Sequence, residues 1–434
     1  MPNILINCLD EVNESMAGPA IRSWEFANNL SKNNNVVLLT PNETKLRSDK
    51  FTIVTKKNNV FAEQIKKADY LISQTIRPKT AKLAKKHNTK IIIDAYDPIT
   101  IEALESEKSK EIGLRTAINK ILVLEQSLSF VFADHVICAS EKQRDYWFGV
   151  LSAMNRLTPK SYDQDNSFRS LIDVVPFGLS KNTPQKDKSE SLREKFNLKS
   201  DDFVLLWGGG IWNWFDPLSL IKAVNLISKD VPVKLVFMGI DHPNKNIKRM
   251  DMVDKAMSLS DKLGLTNKSV FFNEGWVPYK ERQQFLLDAD AGVSMHFDHL
   301  ETRFSFRTRI LDYIWASLPI IATEGDSFAE LIEEKDLGIV VKYNNPQSIS
   351  NAIKELHSNK DLYNKSKQNL KDLQKDFYWD KCVLPIEKMI QSSISINNIS
   401  PIGVNSASVH LTSLYKAQKI AVKKLAKKVL KVKD

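Results

Sequence analysis

Short apolar runs rich in β-branched residues recur along the first part of the chain, at 3–7 (NILIN), 36–40, 51–54, 70–73, 90–93, 135–139 and 171–175. Between several of them lie helical patterns, at 19–30 and across about 101–130. Runs without polar alternation suit strands buried on both faces, and strand–helix alternation predicts a largely parallel sheet covered by helices. A polar, lysine-rich stretch at 180–197 has the composition of a linker. A second series then begins at 203–207 (FVLLW) and continues through 233–238, 269–272, 292–295, 320–322 and 338–341. The pattern therefore predicts two doubly wound α/β domains of Rossmann-like type. The expected divisions are a first domain over 1–178, a linker over 179–200 and a second domain over 201–376. A helix over 377–391 is expected to return to the first domain, followed by a polar linker at 392–408 and a tail at 409–434. Open sheets of this kind bind ligands beyond the carboxyl ends of their strands. Two facing domains are expected to hold the site in the cleft between them.

Composition narrows the class only a little. The 434 residues are 42% hydrophobic and 26% charged, which excludes collagen-like and wholly disordered chains. No window approaches the roughly 20 apolar residues that span a bilayer, and residues 1–10 lack the basic and apolar regions of a secretory signal. Cys8, Cys138 and Cys382 are scattered and odd in number, so neither a disulfide framework nor a metal-ligand pair is expected. That usage fits a reducing cytoplasm. The net charge is +10, yet residues 416–434 hold eight lysines and one acid and so carry +7 of it. The body is nearly neutral, and nucleic acid is not an expected partner.

The candidate chemistry lies where strands end. Ala17-Gly18-Pro19 stands at a helix start, where Gly18 permits close backbone approach and free N–H groups attract an anion. Asp94 and Asp97 follow the strand at 90–93, where an open sheet presents carboxylates; Asp97 also suits a plain turn before proline. Gly208-Gly209-Gly210 follows the strand at 203–207, with Trp212 and Trp214 close behind. Three glycines suit backbone approach to a diphosphate, and the indoles offer faces for a base or sugar; a flexible loop capped by packed aromatics is the alternative. The densest constellation runs from His296 to Asp312, through Glu301, Arg303, Arg307 and Arg309, into a helix expected over 307–316. Guanidinium groups at a helix mouth make an anion site, although a run of charges is also compatible with a solvated face. Were Ser305 to cap that helix, Arg309 and Asp312 would lie one turn apart on it.

Four segments together resemble a GT-B glycosyltransferase of family 4, the retaining group that uses sugar nucleotides. They are Ala17-Gly18-Pro19-Ala20-Ile21-Arg22, Val174-Val175-Pro176-Phe177-Gly178, Gly208–Gly210 and the run from Leu311-Asp312-Tyr313 to Ala322-Thr323, followed by Glu324-Gly325-Asp326. The resemblance implies that Gly209 and Gly210 approach the donor diphosphate and that Asp312 holds the nucleotide ribose as the second acid of a Glu-x7-Glu motif. The first acid would fall at 304, where the chain has Phe304; Glu301 is the nearest candidate, with ten intervening residues. The basic pair of the family's second-domain glycine loop is replaced by Gly209 and Phe215. The positive charge is then expected from Arg307 and Arg309, with His296 beside them and Glu301, Arg307 and Asp94 in catalytic roles. Asp94 and Asp97 would orient the acceptor. Such chemistry needs no bound metal or other cofactor if arginines and helix N–H groups stabilise the leaving diphosphate.

The implied partners are a nucleotide diphosphate sugar and a glycan, with a lipid-linked acceptor favoured by the tail. On a helical wheel, Leu411, Leu414, Ala421, Val422, Leu425, Val429 and Val432 form one stripe, with most lysines facing away. A basic amphipathic helix over 409–434 would lie on an anionic membrane surface, on the cytoplasmic side. A sugar-nucleotide epimerase of the same shape and a non-catalytic glycan- or nucleotide-binding module are the alternatives.

Overall fold

A computed structural model describes residues 1–57, 59–186, 191–241 and 249–391, together with 413, 414, 418 and 420. The linker and basic helix expected over 392–434 therefore lie outside the described residues, those four positions apart. The chain divides into two compact units. Unit 1 comprises Met1–Val12, Pro19–Pro176 and the chain from Cys382 onward; unit 2 comprises Asn13–Gly18 and Phe177–Lys381.

Unit 1 is built on seven strands: β1 (Asn3–Asn7), β2 (Asn35–Thr40), β3 (Thr52–Thr55), β4 (Tyr70–Ser73), β5 (Lys90–Asp94), β6 (His135–Cys138) and β7 (Ile172–Val174). Every pairing is parallel and the order is β3-β2-β1-β4-β5-β6-β7. Ile91, Ile92 and Ile93 are all buried, as a strand covered on both faces requires. The sheet is fastened at its carboxyl edge by Arg22, which is 1% exposed. Its guanidinium donates to both oxygens of Asp94 at 2.7 and 2.9 Å and to the carbonyls of Val175 and Pro176 at 2.8 and 3.2 Å. The helix Leu384–Gln391 also belongs to this unit, where Tyr70 donates to the Ile390 carbonyl at 2.9 Å.

The expected helix across 101–130 is two helices, Ile99–Ser106 and Ile112–Phe132. The charged run Glu107-Lys108-Ser109-Lys110-Glu111 interrupts it, and Glu111 caps the second helix by accepting from the amides of Gly113 and Leu114. The expected linker is likewise more than a linker. Ser191 and Glu194 form a reciprocal capping box for the short helix Leu192–Lys195, Leu192 is fully buried, and Arg193 pairs with Asp290 at 2.9 Å. Those contacts make the segment part of unit 2.

Unit 2 repeats the plan with six parallel strands: β8 (Phe203–Trp207), β9 (Val233–Phe237), β10 (Val270–Phe272), β11 (Ala291–Ser294), β12 (Ile320–Thr323) and β13 (Gly338–Val341). Their order is β10-β9-β8-β11-β12-β13. The helix Thr308–Trp315 lies so close to β11 that a Cβ on Gly292 would come within 2.4 Å of the Tyr313 ring. Only glycine fits beneath that ring.

Candidate functional site

The strand order of unit 2 reverses between β8 and β11, and the crevice beyond the carboxyl ends of those two strands is where such a sheet receives a ligand. Two segments leave the sheet there: Gly208-Gly209-Gly210 from β8, and Met295-His296 from β11. The phenol of Tyr313 fixes their spacing. It accepts from the Gly208 amide at 2.8 Å and lies 2.9 Å from the carbonyls of both Leu206 and Val293, sharing one proton between them. Gly209 has φ +73°, a conformation that favours glycine. Farther along, Asp216 donates its amide to the Met295 carbonyl and caps the helix Pro217–Ile227 by accepting from Ser219.

Aromatic rings wall the glycine loop. A Cβ on Gly210 would lie 3.3 Å from Trp276, and Trp212 stacks on Trp214 with centroids 5.2 Å apart. Behind the loop lies Arg309, 8% exposed, whose guanidinium faces the rings of Phe215 and Trp207 at 4.3 and 4.7 Å. One nitrogen donates to the Gly210 carbonyl at 3.0 Å, and the other, Nη1, is buried with no partner among the described residues. Burial lowers the Arg309 pKa to about 10, so it stays a cation at neutral pH.

A second group adjoins the first. Arg307 donates to both oxygens of Glu301 at 2.9 and 2.7 Å, and its Nε lies 3.8 Å from Asp326. His299 Nδ1 approaches Glu301 at 3.7 Å, and His296 Nε2 lies 3.2 Å from Asp326 Oδ2. Asp326 also caps the helix Ser327–Glu334 by accepting from the Ala329 amide. Burial pushes the Asp326 carboxyl up, but His296, Arg307 and the Ala329 amide outweigh it and hold the group below its ordinary value. Burial pushes the His296 imidazole down despite the neighbouring carboxylates, leaving it neutral at pH 7.

Both shifts act in the same direction on stability. A depressed imidazole pKa leaves the unfolded chain binding the extra proton first, so stability falls as pH drops below the ordinary imidazole value of about 6.5. The contribution of the depressed Asp326 is lost at lower pH, below the ordinary carboxylate range. His296→Gln is therefore expected to flatten the fall in thermal midpoint between pH 6.5 and 5, measured by calorimetry. An unchanged slope would contradict this assignment.

Among the residues singled out in the sequence, the structure gathers Gly209, Gly210, Trp212, His296, Glu301, Arg307 and Arg309 around one switch point. Asp312 lies on the same helix but turns elsewhere: its Oδ1 accepts from Arg282 Nε at 2.9 Å. The helix begins at Thr308, with Arg307 in the capping position, while Ser305 instead ends the helix Leu300–Phe304. Ser305 is therefore not the cap that the sequence suggested. Glu301 and Arg307 neutralise one another, unlike the expected guanidinium open to phosphate. In unit 1, Asp94 is bound by Arg22 through both oxygens, and the Asp97 carbonyl closes the turn into Ile99–Ser106. These pairs tie Asp94 to the scaffold. Gly18 opens the helix Gly18–Leu30, with open space where a Cβ would stand.

Sequence reasoning missed Arg282, which is held between the Tyr279 and Trp315 rings, as well as Trp276 and the role of the Tyr313 phenol. Only Tyr313 carried a signal, because a hydroxyl among the apolar residues Ile310, Leu311, Ile314 and Trp315 demands a partner. No group of three or more His, Cys, Asp or Glu side chains arranged to hold a metal ion occurs among the described residues. No helix among them is long and apolar enough to cross a membrane.

Two doubly wound parallel-sheet units, one with a glycine loop at its switch point, define the fold class of the GT-B proteins. Residues 188–373, most of unit 2, match the family model described as glycosyl transferases group 1. An uncharacterized glycosyltransferase of Methanocaldococcus jannaschii is 32% identical over 75 residues, 17% of this chain and 21% of that one. The putative glycosyltransferase EpsD of Bacillus subtilis is 24% identical over 179 residues, 41% of this chain and 42% of that one. The chain thus matches about two fifths or less of the length of these curated relatives. Among solved structures, Anabaena Alr3699/HepE in complex with UDP and glucose superposes with a TM-score of 0.59 at 14% identity, covering 90% of this chain and 99% of that one. That likeness gives the fold.

Proposed function

We propose that the protein transfers a sugar from a nucleotide diphosphate donor to a glycan, with retention of configuration, as in family 4. The observation that carries this reading is a set of buried polar atoms at the switch point of unit 2 that have no hydrogen-bond partner among the described residues: Asp216 Oδ2, Ser294 Oγ, His296 Nδ1, Arg307 Nε and Arg309 Nη1. Native interiors rarely leave such groups unsatisfied unless a ligand or function requires them. The group 1 match over residues 188–373 and the UDP and glucose held by a protein of the same fold support a nucleotide sugar as the ligand.

Breaking a sugar–phosphate bond leaves negative charge on the departing diphosphate. In this reading the diphosphate lies over the Gly208–Gly210 loop, with the Arg309 cation behind it. A cation already fixed in a low-dielectric site stabilises developing charge without reorganising. Trp212 and Trp276 offer faces for the base or sugar. Glu301 and Asp94 are each bound to an arginine, so the reading assigns neither as a base; the acceptor is delivered to the face that the phosphate leaves. No metal is required by this scheme. The test is nucleotide release from a panel of UDP-, GDP- and ADP-sugars, with and without a glycan acceptor. Acceptor-dependent release supports transfer, and conversion of the donor without acceptor would instead indicate an epimerase.

A lipid-linked acceptor at the cytoplasmic face of a membrane is supported by the basic amphipathic pattern of residues 409–434, with its apolar stripe and most lysines facing away from it. Lysines near an anionic surface contribute about 1 kcal/mol each. The full chain is expected to sediment with vesicles containing phosphatidylglycerol and not with purely zwitterionic ones, and deletion of 409–434 should abolish that. Equal sedimentation of the truncated chain would end the membrane assignment.

A further inference from the structure

Unit 1 has a switch point of its own, and none of the residues discussed for glycosyl transfer occupies it. Its strand order reverses between β1 and β4, whose last residues, Asn7 and Ser73, are joined by a hydrogen bond of 2.9 Å. A cavity of about 440 Å3 opens there, lined by Asn7, Thr75 and Arg77 at the strand ends. That volume lies within the range of about 300–1,000 Å3 usual for ligand pockets.

The polar groups of the cavity are unevenly charged. Lys56 is held over the pocket by Asn7 Oδ1 at 3.3 Å and by the face of Phe61 at 4.5 Å. Arg77 precedes the helix Pro78–Lys86 and lies near enough to repel Lys56. Both residues are exposed and reach over the cavity mouth; partial desolvation of the ammonium, and then the Arg77 charge, lower the Lys56 pKa. No carboxylate pairs with either cation among the described residues. Two like charges lining one cavity, neither within ion-pair distance of a carboxylate among the described residues, favour an anion between them. Glu125 and Thr80 also line the cavity, and a carboxylate and a hydroxyl suit the hydroxyl groups of a sugar.

We propose that this cavity binds an acidic saccharide, with Lys56 and Arg77 on its oxyanion and Glu125 and the threonines facing its hydroxyls. The oxyanion is a uronate carboxylate or a sugar phosphate, which share the same recognition chemistry. Resting on the reading of the protein as a glycosyltransferase, the inference names the acceptor class: a glycan that carries an acidic residue at or near the acceptor position.

The full chain is titrated by calorimetry with methyl glucuronide, glucose 6-phosphate and neutral methyl glucoside, and separately with UDP. Saturable binding of one or both acidic sugars, at least about tenfold tighter than the neutral one, is the expected result. Whether the glucuronide, the phosphate or both bind identifies the source of the oxyanion. Lys56→Gln and Arg77→Gln should each weaken the acidic sugar about tenfold or more, with UDP binding unchanged. Lys79→Gln, an exposed lysine on the helix that begins at Pro78, should leave acidic-sugar binding as it is. Equal binding of neutral and acidic sugars, or undiminished binding by the double variant, would overturn the proposal. Loss of the glycosyltransferase reading would appear separately, as failure of the UDP titration.

Discussion

Arg309→Met is expected to lower sugar transfer by about 10²–10³-fold while leaving the thermal midpoint unchanged or raised. A buried cation is expensive to desolvate, and this one has no carboxylate partner among the described residues: it has two aromatic faces, one carbonyl and an unsatisfied nitrogen. An apolar side chain of similar length would keep the packing on Trp207 and Phe215 and remove the desolvation penalty. Positions where a chain keeps a locally unfavourable group are where function is expected. Arg309→Lys keeps the charge but loses the planar fork, so an intermediate loss is expected. Initial rates with saturating donor, beside a calorimetric scan of each variant, check both halves. Normal turnover in Arg309→Met would remove the cation from the mechanism, and severe destabilisation would make it a structural residue.

Arg307→Ala, by contrast, is expected to destabilise unit 2 by about 3–5 kcal/mol. The substitution leaves Glu301 buried without its bidentate partner and takes a positive charge from beside Asp326. Both carboxylates are 7% exposed or less, so water cannot replace the guanidinium. Chemical denaturation followed by tryptophan fluorescence measures the loss. The double substitution Arg307→Met with Glu301→Leu should recover much of it, because removing both charges leaves no orphan. A single variant of wild-type stability would show that the pair contributes little. The two neighbouring arginines therefore separate by measurement: Arg309 acts chiefly on rate, Arg307 chiefly on the fold.

The strands were legible because parallel strands buried on both faces appear as unbroken apolar runs. The runs at 70–73, 203–207 and 338–341 coincide with β4, β8 and β13 to the residue. Helix ends were less so. The apolar period resumes at Ile112 after the charged run at 107–111, so spacing alone bridges a real break. Leu192–Lys195 is four residues long, too short for any periodicity. At the site, the glycine loop, His296 and the arginines were visible because they stand just past strand ends, where an open sheet places its ligand. Their partners were not. Asp94 meets Arg22 across 72 positions and Asp312 meets Arg282 across 30, distances that only tertiary folding closes. A charge in a sequence announces that a counter-charge is needed and says nothing of whether a ligand or another side chain provides it.

The Tyr313 phenol has a practical consequence for anyone who recombines this chain with a relative. One hydroxyl on the helix Thr308–Trp315 registers the start of the glycine loop against the ends of two strands, and the ring above it excludes any side chain at Gly292. A transplanted loop would thus arrive without its anchor unless the helix and the small residue below travelled with it. The smallest exchangeable module is this three-part assembly: Gly292 and Tyr313 lie 84 and 105 residues beyond Gly208, and 21 from each other.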